Sequence, residues 1–333
     1  MKWIHCRNVL KMAIALALLA LSSLSLKGQP VNPNASREAR ELLDFITLLS
    51  GKQILAGQHS YCNDLQRPLD SVLAITGKQP ALWGSDLMGY DHGSEDTRQE
   101  VITEAIKHHK SGKIITLMYH MVKPWHHDRK SYALSVKGRV TDEQWEKVID
   151  PTTEEHAQWL GKIDHIAMYL KQLRDMDIPV LWRPFHEMNG NWFWYGDRKG
   201  EDGIQKLWKL MYDRYVNHHH LNNLIWVWNP NGPREDAFAY EHYYPGDGYV
   251  DILAADIYAN DYQQSHHDQL VALGNGKPIA IGECGELPTM KVLREQPQWA
   301  WFMCWVGHVW GKENRRKVKR LYRSKKVVTL GGL

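Results

Sequence analysis

Along this chain eight short apolar runs recur, most of them separated from the next by a longer amphipathic stretch. The runs are QILAGQH (53–59), PALWGSD (80–86), KIITLMYH (113–120), PVLWRPFHE (179–187), NLIWVWNPN (223–231), VDILAADIY (250–258), KPIAIGECG (277–285) and WAWFMCWVG (299–307). Strands alternating with helices predict parallel βαβ units, because a parallel strand needs a crossover that a helix supplies. Eight such units predict closure, so the expected fold class is α/β, a single-domain (β/α)8 TIM barrel. A length of 333 residues suits one such domain. No Pro/Gly/Ser-rich linker divides the chain, and no repeat is visible beyond the alternation itself.

The intervening stretches carry helix start signals. Ser36 is placed to cap a helix in which Ala39, Leu42, Leu43, Ile46 and Leu49 recur at helical spacing. Thr97 and Glu100 have the spacing of a capping box ahead of Val101, Ile102, Ala105 and Ile106. From about Thr153 a longer helix is expected, with Trp159, Leu160, Ile163, Ile166, Ala167, Leu170 and Leu173 on one side.

Residues 1–28 read as a signal peptide: Lys2, Arg7 and Lys11 precede the apolar run Met12 to Leu26, which is too short for a membrane span. The expected product is a secreted or periplasmic domain over 29–333, monomeric and free of the membrane once the signal is removed. Cys62, Cys284 and Cys304 then remain, without CxxC spacing, and read as buried free thiols rather than a disulfide framework or zinc site. A formal charge of +3 gives no nucleic-acid footprint. The nine Lys or Arg between Lys312 and Lys326 read as a solvated helix face rather than a polyanion site. The runs HHD (126–128) and HHH (218–220) lack HExxH spacing and predict no metal site.

In a barrel of this kind, active sites lie where the strands end. His59, Asp86, His120, Glu187, Asn229, Tyr258, Glu283 and Trp305 occupy those ends. Glu187 and Glu283 close the fourth and seventh strands, on opposed staves, where two carboxyl groups can meet across one glycosidic oxygen. Alternation of side chains on the seventh strand groups Ile279, Ile281 and Glu283 on one face, expected to be the interior, against Ala280, Gly282 and Cys284. On the fourth strand it groups Arg183, Phe185 and Glu187, so Arg183 is expected inside the barrel, paired with a carboxylate such as Glu283. Aromatic residues 192–195 follow Glu187 and would desolvate it, which suits a proton donor; Glu283 is then the nucleophile. Fifteen Trp and 15 Tyr against 5 Phe fit a sugar-binding cleft, although a large core accounts for them equally well.

At these residues the sequence resembles glycoside hydrolase family 26, whose members include β-mannanases. WRPFHEMNGNWFWYG (182–196) is similar to that family's acid/base region, IGECG (281–285) to its nucleophile strand, and YYPGDGYVDILAADIY (243–258) to its sixth-strand region. GQH (57–59) and LMYHMVKPW (117–125) resemble its first and third strands, the latter with Tyr119 where Trp is common. The resemblance implies Glu187 as acid/base and Glu283 as nucleophile, with His120, His186, Trp192 and Tyr258 lining the sugar at the cleavage point. His186 would hydrogen-bond near the nucleophile or the sugar 2-hydroxyl, and Tyr258 would orient Glu283. Trp192 offers a stacking face, and Trp125, Trp228 and Trp305 are further candidates for that contact. The implied chemistry needs no metal or organic cofactor.

The activity expected on that resemblance is retaining hydrolysis of β-1,4-mannosidic bonds in mannan, glucomannan or galactomannan. Mixed-linkage β-glucan or β-1,3-xylan is the alternative substrate for the same machinery. A noncatalytic carbohydrate-binding protein on a retired scaffold is a third reading, opposed by the presence of both carboxylates.

Overall fold

The computed structural model describes residues 28–89, 96–126, 132–310 and 315–333. The signal segment apart from Gly28 therefore lies outside the described residues, as do His127, Asp128 and Lys312. Eight parallel strands, β1 (Ile54–His59), β2 (Leu82–Asp86), β3 (Ile114–Tyr119), β4 (Val180–Pro184), β5 (Leu224–Trp228), β6 (Ile252–Ile257), β7 (Ile279–Cys284) and β8 (Trp299–Cys304), pair in sequence. The barrel closes because β1 pairs with both β2 and β8. A two-residue strand, β9 (Val327–Val328), adds to the start of β1.

Side-chain alternation divides the core in two. Leu55, Leu82, Leu181, Ile225, Ile252, Ala280 and Trp301 point inward at the strand starts and pack on Leu43 and Ile46. The helix Arg37–Leu49 thus plugs the bottom of the barrel, and Ser36 caps it by accepting from the Ala39 amide at 3.2 Å. Trp83, Trp182, Trp226, Trp228, Ile279 and Ile281 point outward into the larger cluster beneath the surrounding helices. Such close-packed aromatic burial accounts for much of the unusual Trp inventory.

Two helix starts differ in outcome. The box expected at Thr97 does not form: the Thr97 hydroxyl donates to the Gly89 carbonyl, and Asp96 accepts from the Arg98 amide instead. A complete capping box occurs at Thr141 and Gln144, where each side chain accepts from the other's backbone amide, opening the helix Asp142–Ile149. Thr153 caps Glu154–Arg174 through the His156 amide. No helix among the described residues is long and apolar enough to cross a membrane. Cys62, Cys284 and Cys304 are buried, and no disulfide joins them among the described residues.

Candidate active site

Arg183 is the centre of the mouth of the barrel. It follows Leu181 on the inward face of β4 and is 2% exposed. Its Nη2 donates to Glu283 Oε1 at 2.7 Å, and its Nη1 donates to Asn229 Oδ1 at 3.0 Å and lies 3.5 Å from Asp256 Oδ1. Burial alone would lower the guanidinium's proton affinity, but Glu283 and Asp256 outweigh it and hold the group charged. Glu283 is fixed from the other side by Tyr258, whose hydroxyl donates to Oε2 at 2.9 Å. Burial, followed by the Glu283 charge, pushes the Tyr258 phenol up, so it keeps the proton it donates.

Glu283 does not reach the interior by simple alternation. Ala280 packs inside the barrel, while Ile279 and Ile281 lie outside it, the reverse of the faces expected from the sequence. Between Ile281 and Glu283 the β7 strand takes two residues where β6 takes one, from Ala255 to Asp256. This β-bulge turns Gly282 and Glu283 inward together and sets Glu283 beside Asp256. Gly282 is required there, since a Cβ would sit 1.6 Å from Asn229 Oδ1.

Alternation also fails past the end of β4. Phe185 and Glu187 have φ of 50° and 54°, in the left-handed region that side-chain-bearing residues rarely adopt. Phe185 consequently turns outward, its ring centroid 5.5 Å from that of Tyr195 and 6.4 Å from that of Trp208. The Glu187 amide then donates to the Asn229 carbonyl at 2.7 Å, which returns the Glu187 side chain to the mouth. Trp192 Nε1 donates to Glu187 Oε2 at 2.7 Å, and its ring lies against Gly190, where a Cβ would meet it at 2.2 Å.

The two glutamates have unlike surroundings. Burial, and then the charge of Glu283, raises the Glu187 carboxyl to about 7, against the opposing bond from Trp192. Glu283 accepts two strong bonds, one from a cation. Oxygens of Glu187, Asp256 and Glu283 all lie within 4.8 Å of one another, a cluster of a size that suits a divalent cation. The Arg183 charge already bonded to Glu283 opposes a second cation there.

Sequence reasoning passed over Asp256. It is 1% exposed, its Oδ2 has no hydrogen-bond partner, and burial followed by Glu283 pushes its carboxyl well up. The signal was present: Asp256 shares inward parity with Ile252, Ala254 and Tyr258.

Beside the carboxylates a cavity of about 280 Å³ is lined by His59, Tyr61, Asp86, His120, Tyr132 and Trp305. His120 Nδ1 lies 2.6 Å from Asp86 Oδ2, and the His120 amide donates to Oδ1 at 3.1 Å. Burial would raise Asp86, but these contacts prevail and leave its carboxyl below the usual value. The His186 ring lies edge-on to His120, with centroids 4.3 Å apart, and against Phe193. No hydrogen bond joins it to Glu283 among the described residues; burial and then His120 push its proton affinity well down, leaving a neutral imidazole. His59 stacks on Trp305 at 4.3 Å, both its ring nitrogens unpartnered, and burial lowers it to about 3. Trp228 cannot stack a sugar, being fully buried on the outer face against Tyr240 and Tyr244. Trp125 is partly buried against the outer cluster.

A closed parallel barrel with two unlike carboxyl groups converging at its mouth is the architecture of a barrel-type glycoside hydrolase. The profile of Glycosyl hydrolase family 26 matches residues 31–331. The chain belongs to that family. It is 40% identical over 312 residues to a mannan endo-1,4-beta-mannosidase of Thermothelomyces thermophilus, an alignment covering 90% of this chain and 62% of the relative. The chain thus spans less than two thirds of that relative's length. Among solved structures, GH26A from Muricauda sp. MAR_2010_75 superposes with a TM-score of 0.87 at 45% identity, covering 91% of this chain and 99% of that one. A beta-mannanase from a symbiotic protist of the termite Reticulitermes speratus, complexed with gluco-manno-oligosaccharide, gives 0.81 at 30% identity, covering 92% and 97%.

Proposed function

We propose that the protein hydrolyses β-1,4-mannosidic bonds with retention of configuration, Glu187 acting as acid/base and Glu283 as nucleophile. The observation that carries this reading is the approach of the two carboxyl groups, with one oxygen of each within 4.8 Å. Retaining enzymes need about 5–5.5 Å between carboxyl groups, whereas inverting ones need about 6.5–9.5 Å to admit a water.

Glu187, protonated below about 7, gives its proton to the glycosidic oxygen as the bond to the anomeric carbon breaks. Glu283, held in place by Arg183 and Tyr258, attacks that carbon from the opposite face and forms a glycosyl ester. The ester carries no charge, so one of the causes that raises Glu187 disappears. Glu187 is then held in its ionised form, ready to accept a proton at the step where it must take one from water. That water attacks the anomeric carbon, releases Glu283 and restores the original configuration.

The substrate assignment rests on the mannanase names of the relatives together with family membership. Residues 1–28 would direct export. Purified protein should release reducing sugar from mannan, glucomannan or galactomannan, and little from mixed-linkage β-glucan or β-1,3-xylan. Turnover of either alternative polymer in preference to mannan defeats the assignment.

A further inference from the structure

The helix Arg315–Arg323 packs Val318, Leu321 and Tyr322 into the cluster on the outer face of the barrel and leaves Arg315, Arg316, Lys317, Lys319, Arg320 and Arg323 exposed. Read from sequence alone this run is a solvated face, but its folded surroundings among the described residues supply no ion-pair partner. Among the described residues, none of the six has a carboxylate oxygen within 4.0 Å. Elsewhere on the surface several cations are paired, as in Arg37–Glu38, Lys107–Glu104, Lys147–Glu143 and Arg214–Asp164.

The arrangement also opposes the helix that carries it. Arg315 and Lys319, Arg316 and Arg320, and Lys319 and Arg323 stand four residues apart as like charges, each pair unfavourable. The first turn holds three successive cations and no acid, against the direction that the helix dipole favours. Outside the stretch 312–326, which holds nine Lys or Arg and one Glu, the chain is acidic although +3 overall. The positive charge is therefore concentrated on one flank, where it conflicts with local stability, as features kept for a partner do.

Two hollows extend this flank. Arg315, Arg316 and Lys319 line a groove of about 490 Å³ against Ser71, Ala74 and Ile75. Toward the bottom of the barrel, Arg323 and Lys325 share a second hollow with Lys78. No apolar or aromatic side chain of the helix faces outward, so the surface offers neither a stripe for a bilayer nor a ring for nucleobases. It offers charge alone, in a row.

We propose that this basic flank docks an acidic polysaccharide, a polymer bearing carboxylates along its length, apart from the catalytic mouth. Charge complementarity carries the proposal; only the choice of a glycan over other polyanions draws on the proposed function. A neutral substrate gives no electrostatic steering, and docking to an acidic polymer mixed with it would raise the local enzyme concentration.

Electrophoresis of the full chain through gels containing polygalacturonate tests this. Wild type should be retarded, with the effect weakening as salt rises. The variant Arg316→Gln/Lys317→Gln/Lys319→Gln/Arg320→Gln should bind about tenfold or more weakly, with mannan hydrolysis in dilute solution unchanged. A control with the same charge loss, Arg37→Gln/Lys52→Gln/Lys107→Gln/Lys291→Gln, should bind like wild type. Equal weakening in both variants would assign the effect to net charge and overturn the proposal, as would absence of retardation near physiological salt. Tighter binding to phosphatidylglycerol vesicles or duplex DNA than to polygalacturonate overturns the choice of partner. Retardation without turnover of any polymer would leave the flank standing and defeat the catalytic reading alone.

Discussion

Arg183 Nη2 lies 2.7 Å from Glu283 Oε1, and this guanidinium is also the cation that faces Asp256. Replacing it with Met would leave two buried carboxyls without a cation, a change that costs about 3–5 kcal/mol when one partner of a buried pair is removed. Arg183→Met should therefore lower thermal stability markedly and reduce kcat/KM by a hundredfold or more, roughly the effect of losing one strong electrostatic contact in an active site. Its residual activity should show an acid limb displaced to higher pH. A variant with near-wild-type kcat/KM would remove Arg183 from the account.

The proton on Glu187 sets the alkaline side of the pH profile. With the carboxyl raised to about 7, kcat/KM should fall as pH rises through that value, and Glu187→Gln should lose this limb. The Trp192 bond acts in the opposite direction, so Trp192→Phe should move the limb to higher pH. Aryl mannosides with good leaving groups should suffer less from Glu187→Gln than the polymer does, because they need no proton. The same shift destabilises the fold: a carboxyl raised from 4.5 to about 7 binds its proton more tightly when folded, so stability falls as pH rises through that window. Glu187→Gln should gain on the order of 1–2 kcal/mol at pH 8 and little at pH 4. Denaturant titrations at the two pH values check the sign.

Burial, and then the Glu283 charge, pushes the Asp256 carboxyl well up, which favours its protonated form. Asn has the same shape and no charge. Asp256→Asn should therefore keep at least about a tenth of wild-type kcat on mannan, whereas Asp256→Ala should lose much more by opening a buried space beside Glu283. Loss of a hundredfold or more in the Asn variant would mean that Asp256 works as an ion.

Gly282→Ala puts a methyl group where Asn229 Oδ1 now sits. It should disturb the Asn229–Arg183 bond and the bulge together, costing stability by about 1–3 kcal/mol and activity in parallel. Thermal unfolding and kcat measured on one preparation test the linkage. An unaltered midpoint with full activity would show that the bulge relaxes freely.

These positions also mark how far the sequence can be read. The eight strands are legible because each is a short apolar run between helical stretches, and the strand ends follow from them. Alternation along β7 points to Glu283, but the bulge at Gly282 reverses that alternation, so the sequence indicates the right residue through an inverted picture of the strand. A bulge adds one residue without changing composition or hydrophobicity, and a single sequence carries little trace of it. Phe185 and Glu187 present the same difficulty, since left-handed conformations at residues with side chains are imposed by the surrounding structure rather than by local preference. Asp256 was legible by parity with Tyr258 but was hidden inside the apolar run ILAADIY.

The central claim, that Glu283 attacks the sugar while Glu187 serves the leaving group, is tested most directly by trapping the intermediate. Incubation with 2-deoxy-2-fluoro-β-mannosyl fluoride should inactivate the enzyme, and peptide mass spectrometry should place the added sugar on Glu283 alone. Rapid turnover to an inverted product, or a label on any other carboxylate, would contradict it.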